Sequence, residues 1–259
     1  MGLLYMGRCK VISHRGANKV APQNTIPAFE KAMEIGCDGF ETDIHLTSDG
    51  ETVICHNYSI DDTSTGEGDI RKMTLEEIRK YDFGSYFHEK FKDTKIPTLE
   101  EFLNLCEKAD IEIMNIEIKP PLDGNFTIVE KTINAVKEHG LFDRLLISSF
   151  SSKVLIECKR VDPECKTGLL YSPERPITYK KMLFSYLKYA KELKVDYLHP
   201  HYLLVTKKYV EKLHANGIKV NVWTVNKPEL AQKLLRYGVD GLITDLPQMA
   251  NDIISRFEV

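Results

Sequence analysis

The stretch from Val11 to His56 contains Gly39-Phe40-Glu41-Thr42-Asp43-Ile44-His45-Leu46, in which apolar and ionisable side chains alternate. Because successive side chains of a β-strand point to opposite faces, Glu41 and Asp43 share one face of this predicted strand. The stretch opens with Val11-Ile12-Ser13, which leads to His14-Arg15-Gly16, and it ends with Thr52-Val53-Ile54-Cys55, which leads to His56. Two histidines, an arginine and two carboxylates at the ends of predicted strands indicate a reaction site.

Strand and helix signals alternate along the rest of the chain. The first helix is predicted after Asn24-Thr25, with Pro27 in its first turn and Gly36 as its stop. Further strands are predicted at Ile111–Lys119, Leu145–Ser149, Lys166–Tyr171, Tyr197–Pro200, Lys219–Thr224 and Gly241–Thr244. Amphipathic helices are predicted between and after them, at Phe126–His139, Ser151–Arg160, Tyr179–Leu193, Thr206–Asn216, Lys227–Tyr237 and Asp245–Phe257.

Eight strand–helix units in 259 residues predict an α/β fold, a (β/α)8 or TIM barrel that spans residues 1–259 as one domain. A doubly wound open sheet is the alternative, and it is disfavoured because no glycine-rich phosphate turn opens the chain. Residues 58–97, after the second barrel strand, show no long strand pattern. A connection this long usually has a function or forms local structure of its own, so we expect a small insertion at the barrel mouth.

Reactive groups of a TIM barrel gather at the C-terminal ends of its strands. His14, Glu41, Asp43, His56, Glu117, Lys119 and Trp223 all fall at that end of their predicted strands. Three converging carboxylates need a cation, since each pair at about 5 Å repels by roughly 3 kcal/mol at an effective dielectric constant near 20. All-oxygen ligands favour one hard ion, Mg2+ or Ca2+. The alternative is a salt-bridge network with Arg15 and Lys119, and the two coexist if these cations bind an anionic substrate.

The histidines divide by position. His14 and His56 flank the acids at one barrel mouth, and paired imidazoles suit general acid and general base roles near neutral pH. We expect His45 to support the site or to be solvated, and His199 is a weaker candidate for contact with it. His88, His139 and His214 are expected at the surface. Trp223 either plugs the barrel or forms a wall against the apolar part of a substrate.

Composition limits the class of protein. A chain with 42% hydrophobic residues, 28% charged residues and a formal net charge of −3 is typical of a soluble globular protein with no electrostatic reason to bind nucleic acid. Its six cysteines are scattered and read as reduced thiols. No apolar run approaches the roughly 20 residues of a transmembrane helix, and Met1–Met6 is too short for a signal peptide. We therefore expect a cytoplasmic protein with a small-molecule substrate; its oligomeric state stays open.

Taken together, the motifs resemble the glycerophosphodiester phosphodiesterases, a metal-dependent TIM-barrel family, over essentially the whole chain. The motifs, in order, are His14-Arg15-Gly16, Pro22-Gln23-Asn24-Thr25, the Glu41 strand with Asp49-Gly50, Cys55-His56, Ile96-Pro97-Thr98-Leu99, Asn115-Ile116-Glu117-Ile118-Lys119, Val222-Trp223-Thr224-Val225-Asn226 and Gly241-Leu242-Ile243-Thr244-Asp245-Leu246-Pro247. The resemblance implies that Glu41, Asp43 and Glu117 hold one Mg2+ or Ca2+. It also implies that His14 and His56 form the acid–base pair, that Arg15 and Lys119 contact the phosphate, and that sn-glycerol 3-phosphate and an alcohol are the products.

Two residues depart from the family pattern. Gln23 stands where the family usually has a glutamate, and Asn57 stands where an aspartate usually follows the second histidine. Each exchange removes a negative charge, and the loss of an anionic neighbour lowers the pKa of a nearby histidine. The three presumed metal ligands are kept, so the ion is still expected to bind. A lysophospholipase D-type phosphodiesterase and a non-catalytic phosphodiester-binding barrel remain the alternatives.

Overall fold

A closed parallel barrel forms the centre of the computed structural model. The structure describes residues 8–174 and 176–257, and for 176–184 it describes the backbone alone, so Met1–Met6 lies outside the described residues. The strands are β1 (Lys10–His14), β2 (Gly39–Leu46), β3 (Thr52–Ile54), β4 (Ile113–Ile118), β5 (Leu145–Ser149), β6 (Lys166–Tyr171), β7 (Tyr197–Pro200), β8 (Lys219–Val222) and β9 (Gly241–Thr244).

The pairing pattern decides between the two predicted architectures. The strands follow the order β1-β9-β8-β7-β6-β5-β4-β2-β3, and β1 also pairs with β2. This additional pairing closes eight parallel strands into a ring, while β3 extends it as an antiparallel partner of β2. The TIM barrel is therefore confirmed, and the open sheet is wrong.

Helices follow the strands as the sequence predicts. They are α1 (Ile26–Ile35), α2 (Leu75–Ile78), α3 (Leu99–Cys106), α4 (Thr127–Glu138), α5 (Ser152–Val161), α6 (Pro176–Leu193), α7 (Lys207–His214), α8 (Pro228–Tyr237) and α9 (Pro247–Phe257). Gly36 ends α1 in the left-handed conformation, which supplies the stop signal read from the sequence. Thr98 and Glu101 form a complete capping box at the start of α3, as their spacing predicts.

The main core lies between the outer face of the barrel and the helices. Phe40 of β2 is fully buried there, with its ring centroid 5.5 Å from that of Phe29 in α1 and 6.2 Å from that of Phe102 in α3. The outward face of β2 is thus anchored by aromatic packing. Its inward face carries Glu41 and Asp43, so the packing of one face fixes the position of the acids on the other.

The insertion has a hydrophobic cluster of its own. Buried residues on β3 and on the connection to α3 pack together in it: Val53, Cys55, Ile60, Ile70, Ile78, Phe83 and Ile96. Because Val53 and Cys55 lead directly to His56, this small core holds the segment that carries the second histidine. Among the described residues, none of the helices is long and apolar enough to cross a membrane.

Candidate active site

Three carboxylates meet at the C-terminal end of the barrel. Glu41 and Asp43 come from β2 and Glu117 from β4, and Asp43 and Glu117 are register partners. One oxygen of each lies within 4.8 Å of the others. The three residues are only 5%, 1% and 6% exposed. The structure therefore brings together the three acids that the sequence proposes as metal ligands.

Two partly buried cations neutralise part of this charge. Lys119 Nζ lies 2.7 Å from Asp43 Oδ1 and 2.8 Å from Glu117 Oε1, and Arg15 Nε lies 3.5 Å from Asp43 Oδ2. The salt-bridge network considered from the sequence is therefore present. It opposes two positive charges to three negative ones, so the cluster keeps one formal negative charge when all three acids are ionised.

The residues present fit a hard divalent cation. Glu41 is the acid that the network leaves without a cation: burial and then the charge of Asp43 raise its pKa well above the ordinary range. Asp43 Oδ1 is buried and has no hydrogen-bond donor in good geometry among the described residues, although Lys119 is in ion-pair contact with it. A ligand set made only of carboxylate oxygens suits Mg2+ or Ca2+.

His14 is hydrogen-bonded to an aspartate that directly follows the last strand. Its Nδ1 lies 2.6 Å from Asp245 Oδ1, and its Nε2 lies 3.9 Å from Glu41 Oε2. Asn18 and Asn226 each donate a hydrogen bond of 2.6 Å to Asp245. Burial opposes ionisation of Asp245, but these hydrogen bonds outweigh it and hold the pKa of its carboxyl below the ordinary value. Burial lowers the pKa of His14, and the bond to Asp245 partly offsets this shift.

The turn after His14 depends on a glycine. Gly16 has φ of +75°, and a Cβ at this position would lie 2.6 Å from the carbonyl carbon of Ala28. Only glycine fits both the left-handed conformation and this close approach to α1. The turn places the Arg15 backbone N–H 3.1 Å from Glu41 Oε2, so the His-Arg-Gly motif positions a donor at the acid cluster as well as the imidazole.

His56 is hydrogen-bonded to Asn57, one of the two residues that depart from the family pattern. Its Nδ1 lies 2.7 Å from Asn57 Oδ1, and Asn57 Nδ2 donates a 2.7 Å hydrogen bond to Asp62. The Asn57 amide thus keeps the contact with the imidazole, and the carboxylate of Asp62 is hydrogen-bonded to the other end of that amide. Burial lowers the pKa of His56 to about 4. The imidazole is therefore neutral near pH 7 and can accept a proton.

Gln23 and Asn24 support the cluster from the loop before α1. Arg15 Nη1 donates a 2.6 Å hydrogen bond to Gln23 Oε1, which orients the guanidinium although a family carboxylate is missing. Asn24 Nδ2 donates a 2.9 Å hydrogen bond to Asp43 Oδ2. Asn24 is predicted as part of a helix start, but no side-chain cap hydrogen bond is formed at α1. Its amide is used to orient an acid.

A cavity of about 390 Å³ adjoins the cluster. His56, Glu117 and Lys119 line one part of it, and Asn57, Tyr58 and Phe150 line another. The ring of Trp223 packs edge-on against Phe150, with centroids 5.7 Å apart, and its Nε1 donates to the His199 carbonyl at 2.7 Å. Trp223 directly follows β8, so it lies at the same barrel end as the acids, in contact with Phe150.

The remaining histidines make their hydrogen bonds outside the acid cluster. His45 is buried rather than solvated, and its Nε2 is 3.3 Å from the His56 carbonyl. His199 is fully buried inside the barrel. His88 is exposed, as expected, whereas His139 and His214 are half-buried and ion-paired with acids on the outer surface.

Comparisons with known proteins show which family the chain is similar to. Residues 14–249 match the family model described as the glycerophosphoryl diester phosphodiesterase family. A glycerophosphodiester phosphodiesterase of Caldanaerobacter subterraneus subsp. tengcongensis is 40% identical, with 95% of this chain and 98% of the relative covered. A solved phosphodiesterase of Oleispira antarctica, in complex with the product sn-glycerol-3-phosphate, is 30% identical with a TM-score of 0.85, covering 95% of this chain and 96% of that one. The Thermotoga maritima glycerophosphodiester phosphodiesterase is 28% identical with a TM-score of 0.73, covering 95% and 98%.

Proposed function

The chain belongs to the glycerophosphoryl diester phosphodiesterase family of enzymes, and on this basis we propose that it hydrolyses glycerophosphodiesters to sn-glycerol 3-phosphate and an alcohol with the help of one divalent cation. The observation that carries this proposal is the convergence of Glu41, Asp43 and Glu117 within 4.8 Å. The named activities of the relatives argue against a non-catalytic binding barrel.

The charges of the site support a monoanionic substrate. Three acids and the two cations Arg15 and Lys119 sum to one negative formal charge, and a bound divalent cation would turn this sum into one positive charge. A phosphodiester carries a single negative charge, so it would neutralise the loaded site. We assign the metal ligands to Glu41, Asp43 and Glu117, and phosphate contact to Arg15 and Lys119.

The two imidazoles supply the proton transfers. When bound, the cation would polarise a phosphoryl oxygen and offset the charge that develops on it. One histidine removes a proton from the nucleophile, which is water or the neighbouring glycerol hydroxyl; attack by the hydroxyl would give a cyclic phosphate, which water then opens to sn-glycerol 3-phosphate. The other donates a proton to the alcohol oxygen as its bond to phosphorus breaks. Asp245 orients His14 through a carboxylate, and Asn57 orients His56 through an amide. Phe150, which packs against Trp223, would contact the apolar part of the substrate.

An assay with purified protein tests the proposal. Glycerophosphoethanolamine is supplied with Mg2+ or Ca2+, and released glycerol phosphate is measured with and without EDTA. We expect release that EDTA abolishes, that added ion restores and that His14→Ala reduces by at least about a hundredfold, the lower range for loss of an acid–base group. Release that EDTA leaves unchanged would overturn the metal dependence. Turnover of lysophosphatidylethanolamine alone would favour the lysophospholipase D alternative, and affinity without turnover would favour the binding protein.

We also propose a domain organisation and a cellular location for the chain. Residues 1–259 form one domain, with 58–97 as an insertion beside the mouth. The location is cytoplasmic, which the six cysteines support, since all of them lie among the described residues as buried thiols outside any disulfide bond. A cell fractionation that recovered the protein with disulfide bonds outside the cytoplasm would contradict this location.

A further inference from the structure

The inside of the barrel is polar directly beneath the acid cluster. Inward side chains of alternate strands share a layer in barrels of this type. With the observed strand registers, one layer contains Glu41, Ser148, His199 and Ile243, and the layer beneath it contains Ile12, Asn115, Gly168 and Asn221. Asn115 is also the register partner of Glu41, and Ser148 is the register partner of Glu117. Each of these two polar residues therefore adjoins a presumed metal ligand.

We call Asn115, Ser148 and His199 the interior polar group. The three residues are 1%, 0% and 0% exposed. Both amide atoms of Asn115, the hydroxyl of Ser148 and Nδ1 of His199 have no hydrogen-bond partner among the described residues. Buried polar atoms are almost always satisfied by protein or by bound water. Four unsatisfied atoms on β4, β5 and β7, in adjacent layers of the barrel interior, therefore point to a common ligand.

Two neighbours, Gly168 and Asn221, set the space for the His199 ring and its orientation. A Cβ at Gly168 would lie 2.8 Å from His199 Nε2, so glycine makes room for the ring. Asn221 Nδ2 lies 3.3 Å from the same nitrogen. When Asn221 donates to Nε2, the proton of the neutral ring is on Nδ1, and this N–H needs an acceptor.

The chemistry of the group selects water over an ion. Asn115 and Ser148 are neutral and offer both donors and acceptors. Burial lowers the pKa of His199 to about 3, so its ring is neutral as well. A neutral set of mixed donors and acceptors suits a water molecule, which donates two hydrogen bonds and accepts two.

We propose that Asn115, Ser148 and His199 bind water inside the barrel and that this water orients the Glu41 and Glu117 carboxylates for metal binding. The three residues are thus positioning residues, which act on the ion through the acids that hold it. Partners beyond the ligands commonly change metal affinity 10- to 100-fold. The positioning part rests on the proposed metal site, whereas the water site stands on the unpartnered atoms alone.

Calorimetric titration of the metal-free protein with Mn2+ tests the positioning role. Ser148→Ala is compared with Ser149→Ala, which removes a hydroxyl of equal burial that donates to the Ile118 carbonyl instead. We expect Ser148→Ala to weaken Mn2+ binding at least about tenfold and Ser149→Ala to leave it within about twofold. Equal affinities of Ser148→Ala and the wild type would overturn the positioning role. Unfolding midpoints without metal separate this effect from a loss of stability, and Asn115→Ala serves if Ser148→Ala does not fold.

A high-resolution crystal structure tests the water site independently. We expect density for water within hydrogen-bond distance of Ser148 Oγ and His199 Nδ1, and its loss or displacement in Ser148→Ala. An interior without such density would overturn the water site. A wild type that bound no Mn2+ would overturn both the proposed metal site and the positioning role. In that case the electron density of the crystal structure would still test the water site. A failure of the metal site and a failure of the water site can therefore be told apart.

Discussion

Replacement of Asp245 by asparagine removes a charge next to His14 and changes little else in shape. Asp245 Oδ1 accepts from both His14 and Asn18, whereas Oδ2 accepts from Asn226. An asparagine can keep its oxygen at the position with two donors, so the contact with His14 survives as a neutral hydrogen bond. Its nitrogen then faces the amide nitrogen of Asn226, a contact between two donors.

The expected fall in kcat follows from the kind of hydrogen bond that is lost. A hydrogen bond to a charged group contributes about 1.5–3 kcal/mol, and a neutral one about 0.5–1.5 kcal/mol. The difference, roughly 1–2 kcal/mol, corresponds to a fall in kcat of about 5- to 30-fold if the carboxylate stabilises the protonated imidazole during turnover. KM should change little, because Asp245 is separated from the substrate by His14.

Steady-state kinetics with glycerophosphoethanolamine measures both constants. Asp240→Asn is the matched control, because Asp240 Oδ2 lies 2.7 Å from His214 Nε2 in a similar pair at the opposite end of the barrel. We expect Asp240→Asn to keep the wild-type kcat. A kcat of Asp245→Asn within about twofold of the wild type, with the protein folded, would refute the role assigned to the His14–Asp245 pair.

Three further predictions concern other parts of the molecule. Asn57→Ala removes the bond that orients His56, so kcat should fall about 3- to 10-fold, the effect of one neutral hydrogen bond, and Asn57→Asp should restore it; unchanged kinetics of Asn57→Ala would contradict this. Phe40→Ala opens a cavity in the aromatic cluster and should lower the free energy of unfolding in urea by about 3–5 kcal/mol; a loss below about 1 kcal/mol would show that the cluster is not tightly packed. His139 has a raised pKa, first because of its hydrogen bond to Glu100 and then because of Glu107. This stabilisation is complete below the unfolded pKa of about 6.5 and is lost as pH rises through the raised folded pKa. The unfolding midpoint of His139→Gln should therefore lie below that of the wild type near pH 5.5 and approach it near pH 9, and a constant difference would contradict this.

Local patterns in the sequence carry most of the fold. The predicted strands Leu145–Ser149 and Gly241–Thr244 agree with the structure to the residue, because short apolar runs between turn signals are typical of buried parallel strands. The predicted strand Ile111–Lys119 is shorter in the structure, Ile113–Ile118. Strand ends depend on pairing with neighbours, which the sequence of one strand does not contain.

The acid cluster is also predictable, since alternation places Glu41 and Asp43 on one face and Glu117 ends another strand. Asp245 is missed, although it follows a predicted strand and obeys the same rule of strand ends. It lies 231 residues from His14, and only closure of the barrel brings the two together. His199 is named from the sequence as a weaker candidate, but Asn115 and Ser148 of the interior polar group are missed for the same reason, because the layers depend on the registers of eight strands.

The central claim is that Glu41, Asp43 and Glu117 bind one cation together. Anomalous diffraction from crystals soaked with Mn2+ and sn-glycerol 3-phosphate tests it most directly. We expect a single anomalous peak in contact with an oxygen of each acid, and the phosphate beside it within reach of Arg15 and Lys119. The claim would be contradicted by a peak that contacts fewer than two of the three acids, or by well-bound phosphate in the site with no anomalous peak at the acids.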